Sequence, residues 1–65
     1  MSALLAHAKA LRALAEGFAQ ASEDCGDDAN GYLLARISQA HVRAATALEQ
    51  QARDEATGNG PVRLT

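Results

Sequence analysis

The stretch FAQASEDCGDDANGYLLARI, residues 18–37, decides the fold because it ends one helical pattern and begins another. Gly26 suits the position just after a helix, where a residue without a Cβ adopts a positive φ at little steric cost. Asp27 or Asp28 can then cap a second helix with a side-chain oxygen and a favourable negative charge. A link this short, residues 25–27, makes the chain fold back as an antiparallel hairpin.

On either side of this turn the sequence predicts one helix over residues 2–24 and another over residues 28–56. Ser2 can cap the first helix, and the sequence TGNGP stops the second. Alanine, the best helix former, dominates the apolar residues, whereas aromatic residues make up only 3% of the chain. We therefore expect an all-α domain over residues 1–57, followed by a flexible tail over residues 58–65.

Both helices carry apolar residues at heptad spacing, which predicts a stripe of larger side chains along each. In the first helix the a and d positions hold Leu4, His7, Leu11, Leu14, Phe18, Ala21 and Cys25, and in the second Leu34, Ile37, His41, Ala44, Leu48 and Gln51. Folding the chain at Gly26 brings the stripes together in order, so that we expect Phe18 to face Leu34, Leu14 to face Ile37, Leu11 to face His41, His7 to face Ala44 and Leu4 to face Leu48.

Small residues flank these stripes and widen the apolar surface beyond what one neighbouring helix can cover. A chain of 65 residues also buries little core. With one cysteine it has no intramolecular disulfide, and Cys25, His7 and His41 lack zinc-ligand spacing. We therefore expect two hairpins to pair as a homodimeric four-helix bundle, through self-association residues Leu4, Leu11, Leu14, Phe18, Leu34, Ile37 and Leu48.

The candidate chemical groups have simple structural interpretations. His7 and His41 fit polar positions that set the helix register, with a pH switch as the alternative. Cys25 fits a small buried residue of the last layer, with an intermolecular disulfide or a reactive thiol as the alternative. No nucleophile–base arrangement, metal site or cofactor site is predicted, so we do not expect an enzyme.

Several residues off the stripes are candidates for contacts with a partner protein. The acidic turn offers Asp24 and Asp27, and the second helix offers a basic outer side. That side holds Arg36 and Arg43, together with Gln39, Thr46, Gln50 and Arg53, and with Lys9 and Arg12 of the first helix. Tyr32 and Val42 lie off the stripes and are expected to be exposed contact residues.

The same numbers argue against other partners and locations. A net charge of −2 gives no broad attraction to nucleic acid or to an anionic membrane. No apolar run approaches the ~20 residues that a membrane-spanning helix needs. A single thiol and the lack of a signal-peptide pattern favour the cytoplasm.

In length, heptads and turn placement the chain resembles the small plasmid-copy-control bundle proteins, in which two helical hairpins dimerise and one face reads paired RNA loops. It is also similar in character to small acidic helical proteins of bacteria and phages that bind and inhibit a host protein. We expect a bacterial or phage protein-binding module that acts as a regulator, adaptor or inhibitor. The alternatives are an RNA-binding helical bundle and a structural subunit that is stable only within a larger assembly.

Overall fold

The structure, a computed structural model, describes residues 2–26 and 28–57. These residues form two α-helices that pack against each other, α1 (Ala3–Cys25) and α2 (Ala29–Thr57), and they contain no strand. This confirms the all-α helical hairpin. The tail predicted over residues 58–65 lies outside the described residues.

Polar side chains and a glycine set the helix ends. Ser2 Oγ accepts a hydrogen bond of 3.1 Å from the Leu4 N–H and caps α1. Gly26 ends α1 with a φ of 72°, and its N–H donates to the Glu23 carbonyl. Asp28 Oδ1 accepts a bond of 3.0 Å from the Gly31 N–H, which is the N-cap arrangement for α2.

The centre of the helix contact differs from the predicted one. The buried apolar residues are Ala8, Ala15, Ala45 and Ala52, which belong to the small residues that flank the larger stripes. Leu14, predicted to face Ile37 inside the contact, is 51% exposed. The prediction that Leu14 faces Ile37 inside the helix contact is therefore wrong. Small side chains occupy the contact instead, because they allow two helices to approach more closely than a leucine stripe would.

Two serine hydroxyls connect the helices where they approach. Ser38 Oγ donates a 2.7 Å hydrogen bond to the Ala15 carbonyl, and Ser38 is buried. Ser22 Oγ donates a bond of the same length to the Gly31 carbonyl. Both bonds run from one helix to the backbone of the other, and they fix the antiparallel register in steps of one heptad.

Gly31 is required by the close approach of the two helices at the turn. A Cβ at this position would lie 2.8 Å from the Gly26 carbonyl oxygen and 3.2 Å from Cys25 Cβ. Any other residue would push the start of α2 away from the end of α1. This role of Gly31 was not predicted from the sequence.

The contact divides the hairpin into two broad faces. In both helices the larger stripe lies on the same side of the small-residue contact, because the helices run in opposite directions. The rings of Phe18 and His41, one from each helix, meet on that side with centroids 5.2 Å apart. We name it the apolar face, formed by Leu4, Leu11, Leu14, Phe18, Leu34, Ile37, His41 and Leu48.

Candidate interaction surfaces

The apolar face is covered only in part by the hairpin itself. Leu14 is half exposed, and the other members of the face are half-buried. All seven predicted self-association residues lie on it. The heptad a and d positions from Leu4 to Gln51 hold no Asp, Glu, Lys or Arg. An uncharged surface of large apolar side chains is typical of an interface rather than of a solvated helix side.

His41 lies within the apolar face and uses one of its nitrogens locally. Its Nδ1 lies 2.8 Å from the Ile37 carbonyl oxygen, which can only accept, so Nδ1 carries the proton in this hydrogen bond. His7 is exposed. Within the described residues the two histidine rings do not meet, and the ring contact of His41 is with Phe18. The structure therefore supports a packing role for His41.

We name the opposite broad face the polar face; Arg12, Thr46 and Glu49 lie on it, and an ion pair there joins the two helices. Arg12 forms a two-pronged contact with Glu49, with Nε–Oε2 and Nη2–Oε1 distances of 2.7 Å, and it also donates to Thr46 Oγ1. The hydrogen bond from Arg12 lowers the pKa of Glu49, and the same bond raises the pKa of Arg12. This pair links the two helices on the side opposite the apolar face.

This ion pair changes the predicted basic side. Arg12, assigned there from the sequence, is neutralised by Glu49 and belongs to the polar face. Arg53 donates to Gln50 Oε1 and adds to the charge attraction that lowers the pKa of Glu49. Only Arg36 and Arg43 remain as isolated charges on the outer side of α2.

Arg36 and Arg43 lie on the side of α2 that points away from α1. Both are exposed, and among the described residues neither has a hydrogen bond or an ion pair. Tyr32 lies one helical turn before Arg36 and is 76% exposed. We name Tyr32, Arg36, Gln39 and Arg43 the outer stripe. An open surface depression of about 570 Å³ adjoins it, lined by Leu33, Ala35, Arg36, Ile37, Gln39, Ala40 and Arg43.

The remaining partner-contact candidates do not join the outer stripe. Val42 is half-buried and lies beside the polar face, where it lines a depression with Arg12 and Glu16. Asp24 is exposed at the end of α1. Asp27 lies outside the described residues. Of the predicted partner-contact residues that the structure describes, Tyr32, Arg36 and Arg43 therefore share one surface, whereas Val42 and Asp24 lie elsewhere.

The prediction for Cys25 is also wrong. It was expected to be buried in the last layer, but it is an exposed free thiol at the end of α1. Ser22 and Gly31 are in contact where the helices approach each other at the turn. The Cβ of Cys25 lies beside Gly31 of α2, which has no side chain to cover the thiol.

The described residues offer few arrangements for other chemistry. They contain no group of three or more His, Cys, Asp or Glu side chains that could hold a metal ion. Neither α1 nor α2 contains a stretch long and apolar enough to cross a membrane. Comparison with protein-family models, with curated proteins and with solved structures found no match for the chain.

Proposed function

We propose that this chain is a protein-binding module that acts as a small regulator, adaptor or inhibitor of another protein in the cytoplasm. In this proposal, two hairpins pair through their apolar faces as a homodimeric four-helix bundle, and outward-facing residues contact the partner. The observation that carries the proposal is the partly exposed apolar face. The closed helix contact uses only small side chains, so the larger apolar ones are covered only in part.

A second copy suits this face for two reasons. A twofold interface brings identical surfaces together, and a face without formal charges meets its own copy without like-charge repulsion. Covering the parts of the leucine, isoleucine and phenylalanine side chains that are still exposed also contributes roughly 0.5 kcal/mol each, summed over both copies. Together these contributions are comparable to the cost of association, which is about 4–15 kcal/mol.

The test compares two leucines of α1 that are almost equally exposed. Leu14 is 51% exposed on the apolar face, and Leu5 is 47% exposed beside the polar face. We expect the unmodified chain to elute as a helical dimer near twice 6.8 kDa. Leu14→Asp is expected to abolish folding or assembly, because it places a charge in the dimer core. Leu5→Asp should leave the dimer intact.

Light scattering on a size-exclusion column, with circular dichroism of the same fractions, measures both effects. Ala13→Asp, an exposed change in the middle of α1, controls for the lower helix propensity of aspartate. A melting curve and mass for Leu14→Asp that match those of Ala13→Asp would refute the pairing. A poorly folded monomer of the unmodified chain would favour a subunit that is stable only within a larger assembly.

An RNA-binding bundle is the second candidate, and the isolated charges of Arg36 and Arg43 are the observation that favours it. Binding to a structured RNA would then weaken steeply with salt and be lost when both arginines are reversed to glutamate. Absence of RNA binding at low salt would remove this candidate.

A further inference from the structure

The charge distribution along α2 is uneven in a way that neither the fold nor dimer formation requires. Arg36 and Arg43 are the only formally charged residues between Ala29 and Leu48. An exposed helix usually balances such residues with acids three or four positions away. Here the neighbouring acidic residues are Asp28 and Glu49, which lie beyond both ends of the outer stripe.

The other arginines that the structure describes show what balanced positions look like. Arg12 pairs with Glu49, and Arg53 donates to Gln50 next to the same carboxylate. One acidic residue at position 39 or 40 would lie three or four residues from both Arg36 and Arg43, yet these positions hold Gln39 and Ala40. The outer stripe is therefore a positively charged segment with short, uncharged residues between its two arginines.

The spacing of the two arginines defines the ligand they fit. Seven residues along an α-helix correspond to about 10 Å, or two turns. Carboxylates seven residues apart on a second helix have the same separation when the two helices pack at a shallow angle. Ala40 lies between the arginines and lines the surface depression, and its small side chain lets a second helix approach closely there. Tyr32 and Leu33, both more than half exposed, extend the contact by one turn.

We propose that the outer stripe binds an acidic helical segment of the partner protein, with one carboxylate at Arg36 and a second, two turns along, at Arg43. This inference rests on the proposed protein-binding function and specifies the chemistry of its partner. The acids beyond both ends favour a short acidic segment over a continuous polyanion. A nucleic-acid backbone laid along the outer side of α2 would meet Asp28 at one end and Asp54 at the other.

The test uses two labelled helical peptides of identical composition in fluorescence anisotropy at low salt. One carries glutamates seven residues apart, on one face, and the other carries them about nine residues apart, on opposite faces. The protein variants are Arg36→Glu with Arg43→Glu, and a control, Lys9→Glu with Arg53→Glu, that changes the net charge equally. Light scattering on every sample reports dimer formation separately from peptide binding.

We expect the matched peptide to bind the unmodified protein a few-fold more tightly than the displaced one, since the displaced peptide can still form one of the two ion pairs and each exposed pair contributes only a few-fold. The Arg36→Glu, Arg43→Glu variant should lose at least about tenfold in affinity and stay dimeric, whereas the control should lose about twofold at most. Arg43→Glu alone should weaken binding and leave folding and assembly intact.

Three results would overturn the inference. Equal binding of the two peptides, or equal loss in both double variants, would mean attraction by net charge alone. Tighter binding of a structured RNA than of the matched peptide, lost with the same two arginines, would assign the stripe to RNA. No peptide binding at low salt, by a protein that light scattering finds dimeric, would leave the proposed dimer standing and remove the acidic helix.

Discussion

The helix contact and the apolar face use opposite kinds of side chain. The contact is built from buried alanines and one buried serine, and its interhelical hydrogen bonds end on backbone carbonyls. The apolar face holds the leucines, the isoleucine and the phenylalanine, none of which is fully buried. A hairpin that relied on its large side chains for its own stability would place them between its helices.

This difference separates two tasks along the same helices. Small side chains bring the backbones close, so van der Waals contacts and serine hydrogen bonds hold the hairpin together. Large side chains add apolar area, which contributes most when another surface covers it completely. Substitutions in the two regions should therefore have different effects, even where they introduce the same residue.

The largest effect on the hairpin itself is expected from Ala45→Leu. Ala45 is fully buried, so three further carbons there must push the helices apart along their contact. We expect a loss of about 3 kcal/mol in the free energy of unfolding, the upper end of the usual range for overpacking. Thermal melts followed by circular dichroism at one fixed protein concentration measure it.

Ala44→Leu is the matched control, because it adds the same carbons one residue earlier. Ala44 is exposed and occupies a d position beside the apolar face. A leucine there should leave the hairpin stable or strengthen its self-association. Equal melting temperatures for the two variants would contradict the assignment of the helix contact to the alanine stripe.

A smaller and opposite pair of effects is expected at two glycines. Gly31→Ala should destabilise by about 1–3 kcal/mol, since its Cβ would collide with the Gly26 carbonyl. Gly17→Ala, inside α1 with nothing within 4 Å of the added Cβ, should stabilise by about 1 kcal/mol. Denaturant unfolding gives both values. Stabilisation by both changes would mean that the helices do not approach as closely at the turn as described.

The sequence was sufficient for the hairpin because local signals agree there. Gly26 fits a helix end, Asp28 fits an N-cap, and alanine favours helix throughout. It was insufficient for the rotation of the helices about their axes. Leucine and alanine stripes are both apolar, and periodicity alone does not say which one faces the other helix. Ser22 and Ser38 could have indicated it, since serines one heptad from alanines allow close approach and supply interhelical donors.

For the interaction surfaces, the sequence predicted which residues share a face of one helix but not which residues pair across the hairpin. Leu14 and the other self-association candidates do share one face, because heptad spacing alone fixes that relation within each helix. Arg12 was assigned to a basic side because its partner, Glu49, lies thirty-seven positions away in sequence. Pairing across the hairpin depends on the helix rotation, so the isolated state of Arg36 and Arg43 was visible only in three dimensions.

The smallest effect is expected on the polar face, where Glu49→Gln removes the charge of the interhelical pair. Arg12 lowers the pKa of Glu49 in the folded protein, so this carboxylate stabilises the fold above its unfolded-state pKa. The stabilisation is lost as the pH falls through the lowered, folded-state pKa. We therefore expect Glu49→Gln to melt slightly below the unmodified chain at neutral pH and together with it in acid.

Glu23→Gln controls for removing a negative charge elsewhere in the hairpin. Glu23 is exposed near the end of α1, where a negative charge opposes the helix dipole, so this change should not lower the melting temperature. Melts of all three proteins across the acidic range decide the matter. If Glu49→Gln still melts at a lower temperature than the unmodified chain at pH values below both the folded-state and the unfolded-state pKa of Glu49, the difference comes from packing and not from charge. The polar face would then depend, like the helix contact, on shape rather than on charge.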